Sequence, residues 1–202
     1  MKITKISQQI KRGNRYSIFV DEQYSFSLSE SALLEAGLAS GQELSKEQIK
    51  EFKKLSADDK LYNQALRWVA MRPRTEWEIE QYLIRKGASP PLLKIILNKL
   101  SIIGLVDDKK FAEAFVADRR RLRPASRRKI ILELKRKHVT EDTINEVVGN
   151  DSEDEHTALL AVIASKRRQS KYQDELKLMQ YLARQGFNYG DIKSALQAED
   201  TD

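Results

Sequence analysis

The chain contains no cysteine. Disulfide frameworks and thiolate chemistry are therefore excluded, which suits a reducing cytosol and leads us to expect a cytoplasmic protein. Glycine and proline are scarce, 8 and 4 among 202 residues, which argues against a loop-rich or disordered chain. No window approaches the roughly 18 apolar residues of a membrane span. The N-terminal MKITKISQQIKRG also lacks the apolar run of a signal peptide, so no membrane partner is expected. Phosphate-cradling glycine loops, a nucleophile elbow and a zincin signature are all missing. His138 and His156 stand 18 residues apart with no cysteine to join them, which is poor material for a metal site. The expectation is a protein with no enzymatic activity, catalytic residue, metal, cofactor or small-molecule substrate.

What is present is 41% hydrophobic and 33% charged residues, enough for a thin core. In residues 3–28, Tyr16, Ile18 and Val20 alternate with polar residues, as do Tyr24, Phe26 and Leu28, which predicts strands. Turns at 11–15 and 21–23 make this a three-stranded antiparallel meander, with strands near 3–10, 15–20 and 23–28. So small a sheet must pack on helices. Ser29 is placed to cap a short helix ending at Gly37, and Ser45 with Gln48 to open another over about 46–55. From Ser56 the pattern is helical. Ser56 with Asp59 resembles a cap, as do Thr75 with Glu78, Ser89 before Pro90, Asp107, Ser126 and Thr140. Pro73 and Pro124 are stops.

The helical part repeats. Pro73 to Pro124 and Arg85 to Arg136 are both 51 residues, and Arg136 to Arg184 is 48. The frames around those arginines are YLIRKG (82–87), ELKRKH (133–138) and YLARQG (181–186). The predicted organisation is a 1–57 meander with short helices, then three-helix units at 58–104, 107–149 and 154–199. The fold class is mainly α, with three tandem three-helix repeats stacked in an elongated, curved array. His138 occupies the glycine position of the frame and is expected to cap a helix C-terminus.

Charge has one address. Arg119–Lys137 holds ten Lys/Arg against Glu133 alone, +9 in a chain of formal net charge +6, so the remainder carries −3. A phosphate-bearing partner would relieve that self-repulsion, and the bland alternative is a solvated helix face. Lys129 and Lys137 lie within one turn of Glu133 on a predicted helix. Arg119 follows Phe115 by one turn and is expected to snorkel. Arg120, Arg121, Arg123, Arg128, Lys135 and Arg136 are therefore the leading DNA- or filament-binding candidates, with Arg119, Arg127, Lys129 and Lys137 secondary. Trp77 lies off the Ile79/Leu83 face of its helix, either sandwiched between repeats or available to a protein partner. The acidic Asp151–His156 segment suits a helix N-terminus or masks the basic run.

GLVDDKKFAEAFVADR (104–119) followed by IILELKRK (130–137) resembles the central signature of the RecX regulators of bacterial recombination. RPRTEWEIEQYLIRKG (72–87) resembles the first repeat of that family, and the N-terminal hairpin and third repeat also fit. Arg123-Pro124-Ala125-Ser126 and His138 depart from it, standing where glycines are common. The resemblance implies three three-helix repeats and binding to the RecA recombinase as its nucleoprotein filament. It further implies inhibition of RecA ATPase and strand exchange in DNA repair and the SOS response, and binding to single- and double-stranded DNA. The other functional class consistent with the residues is a general DNA-binding helical-repeat protein that competes for DNA.

Overall fold

The computed structural model describes residues 1–10, 12–149 and 152–199. Three strands, β1 (Ile3–Gln9), β2 (Arg12–Val20) and β3 (Gln23–Ser29), form an antiparallel sheet in the order β1-β2-β3. Ile18 is the register centre, opposite Ile6 on one side and Phe26 on the other. The β2–β3 turn places Asp21 and Glu22 at φ 47° and 65°, the left-handed pair that a tight hairpin requires. Ten α-helices follow among the described residues: α1 (Glu30–Glu35), α2 (Lys46–Ala70), α3 (Glu76–Arg85), α4 (Pro90–Ile102), α5 (Asp108–Leu122), α6 (Arg127–Arg136), α7 (Glu141–Val148), α8 (Ser152–Arg167), α9 (Glu175–Arg184) and α10 (Tyr189–Glu199). A short 3₁₀ turn, Ser170–Tyr172, precedes α9. None of the described helices is long and apolar enough to cross a membrane.

The chain divides into two compact units. One comprises Met1–Pro73 and Glu78–Val106, the other Arg74–Trp77 and the residues from Asp107 on. The first unit has two apolar clusters. Ile3, Ile18, Phe26 and Leu28 pack with Ala32, Leu44 and Ile49. Ala65, Val69, Ile79, Leu83, Ile96 and Leu100 form the core of the first repeat. The second unit has one core built on Phe111, Val116, Ile130, Leu134 and Ile144, and another on Leu159, Ile163, Leu178, Leu182 and Ile192. Leu160 and Leu176 are exposed.

The capping signals operate largely as their chemistry demands. Ser45 and Gln48 form a reciprocal capping box, and the side chains of Asp107, Ser126 and Thr140 each accept a backbone N–H in the first turn of their helices. Ser89 occupies its N-cap position without a side-chain bond. One expectation is overturned. No helix ends near 55, because α2 runs unbroken for 25 residues through Ser56 and Asp59. These two are not caps. The Ser56 hydroxyl donates to the Ser27 carbonyl at 2.6 Å. Asp59 is buried against Arg15, a residue the sequence pattern assigns to a turn or strand end, at 2.7 Å. Polar residues that look like punctuation are here long-range partners.

Candidate nucleic-acid interface

The basic run is built from two helices and the break between them. α5 ends at Leu122. Arg123 leaves the helical region (φ −144°, ψ 70°), which the residue before a proline disfavours. Ala125 and Ser126 are buried. The Ser126 hydroxyl accepts from the Lys129 amide at 3.1 Å and donates to the Gln185 carbonyl at 2.5 Å. That single side chain caps α6 and ties it to the end of α9.

The ten cations then sort by what they meet. Arg119 donates to Glu133 at 2.7 Å and lies 4.8 Å from the Phe115 ring centroid, so the snorkelling expectation holds. It also takes the carboxylate that the spacing assigns to Lys129 and Lys137. Lys129 instead donates to Gln185 at 2.5 Å, and Lys137 sits 5.3 Å from the Phe111 ring centroid. Arg120 pairs with Asp154 at 2.8 Å and donates to the Val148 carbonyl at 3.2 Å. Lys135 pairs with Glu141 at 2.6 Å, and this contact holds the Glu141 carboxyl below its usual range. Arg120 and Lys135, both leading binding candidates, are thus already paired with acids, although helical spacing offers Lys135 none. Both partners lie outside the basic run, where helical spacing cannot show them. Arg127 is half-buried, its Nε donating to the Gly149 carbonyl at 2.6 Å and its amide to Glu155 at 2.7 Å.

Arg121 has a weak exposed contact with Asp118 at 3.8 Å. Arg123, Arg128 and Arg136 are exposed and meet no acceptor among the described residues. Arg123 borders a cavity of about 390 Å³ with Arg119, Lys129, Lys166 and Tyr181. Arg128 and Arg136 border a second, of about 360 Å³, together with Leu132, Ala183, Arg184 and Gly186. Charge density along the sequence does not single out Arg184. The signal for it lies in the repeat frame, where Arg184 is the counterpart of Arg136.

The acidic segment contributes through Asp154 and Glu155, while Asp151 lies outside the described residues. Burial pushes the Glu155 carboxyl up, the Arg127 amide opposes this, and Asp191 adds to the rise. Its ionised form is therefore the costly one, and that cost falls as pH drops through the raised value. The Trp77 ring stacks on His138 with centroids 4.0 Å apart. His138 has φ 59°, and the next amide, of Val139, donates to the Leu134 carbonyl at 3.2 Å. This is the helix-ending geometry expected of it.

Gly186 lies at φ 94°, and a Cβ there would stand 2.7 Å from the Ser126 hydroxyl. Gly186→Ala is expected to cost about 1–3 kcal/mol, from left-handed strain plus displacement of a buried cap. Gly104→Ala, at φ 73° with open space around it, should cost only the strain. Thermal unfolding of the two variants side by side measures the difference.

Family models match along the chain: the regulatory protein RecX N-terminal domain over 1–45, and the first, second and third RecX three-helix domains over 62–100, 107–148 and 153–196. Regulatory protein RecX of Clostridium perfringens (strain SM101) is 33% identical over 97% of this chain and 95% of its own length. Regulatory protein RecX of Lactobacillus johnsonii is 38% identical over 71% of this chain, which there spans 53% of the relative's length. A crystal structure of a regulatory protein RecX superimposes with TM-score 0.74 at 26% identity, covering 97% of this chain and 98% of that one. With all three helical repeats and the N-terminal sheet matched in order, the chain belongs to the RecX family of regulatory proteins.

Proposed function

We propose that this chain is a non-enzymatic regulator of homologous recombination and DNA repair that binds the RecA–DNA filament along its groove and inhibits RecA ATPase and strand exchange. The observation that carries the reading is the set of exposed arginines in the second repeat, Arg123, Arg128 and Arg136, with no internal acceptor among the described residues. Where the fold needs a cation it supplies a partner, as at Arg119, Arg120 and Lys135. The unpartnered remainder carries the self-repulsion that an external polyanion relieves. Arginine suits this role because its planar fork matches phosphate oxygens. Family membership supports RecA as the protein component.

RecA ATPase on single-stranded DNA tests the proposal, with this protein added before or after filament assembly. A groove binder inhibits in both orders. No inhibition in either order overturns the reading. Inhibition that disappears with excess bare DNA, with no affinity for DNA-free RecA, would instead support a general competitor for DNA.

A further inference from the structure

The groove between α6 and α9 joins features that the charge count alone does not connect. Its α6 wall presents Arg128, Leu132 and Arg136, at intervals of four residues along one helix face. Its α9 wall presents Arg184, with Ala183 and Gly186 beside it. All three arginines are exposed and meet no acceptor among the described residues. The one acid bordering the groove among the described residues, Glu133, is engaged by Arg119 at 2.7 Å. Lys129 is held to Gln185 at 2.5 Å.

Two further observations point to an anion. The first turn of α6 carries no acidic residue and three cations, Arg127, Arg128 and Lys129. Cations at a helix N-terminus oppose the macrodipole. Arg127 and Lys129 are compensated by the Gly149 carbonyl and Gln185, and Arg128 is not. Secondly, Arg136 and Arg184 occupy the same position of successive repeats, in the frames ELKRKH and YLARQG. The packing of repeat on repeat brings these equivalent side chains to one cavity. Leu132, half exposed at 49%, lines the same cavity, as do the small residues Ala183 and Gly186. A cavity lined by guanidinium groups together with apolar and small side chains suits a sugar-phosphate strand, with phosphates on the arginines and sugar or base faces on the apolar lining.

We infer that the α6–α9 groove is a binding site for the backbone of a nucleic-acid strand, and that Arg184 of the third repeat completes it with Arg128 and Arg136. Arg128 and Arg136 are separated by about 12 Å of helix, which corresponds to about three to four nucleotide steps of a stacked strand. This inference rests on the DNA-binding part of the function proposed above.

The test is binding of full-length protein to a fluorescent oligo-dT across a sodium chloride series. Removing one cation that neutralises a phosphate should reduce the slope of log K against log[salt] by about 0.7. Arg184→Gln is therefore expected to flatten the slope by that amount, as should Arg128→Gln. Lys193→Gln, which removes the same charge from an exposed site on α10, should leave it unchanged. If Arg184→Gln behaves as Lys193→Gln while Arg128→Gln flattens the slope, the groove assignment fails and the DNA reading stands. If the wild-type slope is already near zero, both fail.

Discussion

Asp59→Ala is expected to destabilise the first unit by about 3–5 kcal/mol, the cost of leaving a buried charge uncompensated. The charge is that of Arg15, 6% exposed. Its Nη1 donates to Asp59 at 2.7 Å, its Nε to the Ser27 hydroxyl at 2.9 Å, and its Nη2 to the Ser27 carbonyl at 2.7 Å. Asp59 is equally committed. It accepts the Ser29 amide at 2.9 Å, the Ser29 hydroxyl at 2.5 Å and the Asn63 amide group at 2.9 Å. Removing the carboxylate therefore strands several donors at once, including the hydroxyl that caps α1. A loss of that size is a large share of a domain's net stability, typically about 5–15 kcal/mol. Replacing both partners with apolar residues, Arg15→Met with Asp59→Leu, should recover part of the loss, because no buried charge then remains. Urea unfolding followed by circular dichroism measures this. An Asp59→Ala loss below about 1 kcal/mol would show that water reaches Arg15 and that the network is not what binds the sheet to α2.

Arg128→Glu combined with Arg136→Glu is expected to weaken oligo-dT binding roughly tenfold to a hundredfold at about 0.1 M salt and to flatten the salt dependence by at least about 1.4. The slope change corresponds to two phosphates left without their cations, and the reversed charges add repulsion beyond it. Both side chains are exposed and make no internal pair among the described residues, so the fold should survive with a stability change within about 0.5 kcal/mol. Thermal unfolding supplies that control. A double variant that remains folded and binds DNA as wild type does would remove the observation on which the proposed function stands.

Local chemistry was legible in the sequence, and long-range pairing was not. Ser45 with Gln48, Asp107, Ser126 and Thr140 cap helices within three residues of themselves, so a short window contains both partners. Arg120 with Asp154, Lys129 with Gln185 and Arg15 with Asp59 are separated by dozens of residues. No periodicity encodes them, because they become neighbours only when repeats and elements pack. The misread break in α2 has the same origin. Ser56 and Asp59 are polar residues with capping propensity, and only the sheet shows that their hydrogen bonds go elsewhere. The address of the charge was visible. Which cations stay free was not, since that depends on acids contributed by α7 and α8. His138 was readable as a helix terminator from its place in the repeat frame, whereas its stacking on Trp77 is a tertiary event.

The continuity of α2 has a mechanical meaning. Ile49 and Phe52 on its first half close the core of the sheet, and Ala65 and Val69 on its second half belong to the core of the first repeat. One rod of 25 residues, about 37 Å long, is thus the spine of two cores, locked midway by Asp59. Torque applied to the first repeat passes directly into the sheet, since swivelling at that point would break consecutive helical hydrogen bonds. The two parts move as one piece. A chain begun at residue 58 would not release an intact repeat, but half a rod with a frayed end and an aspartate deprived of its arginine.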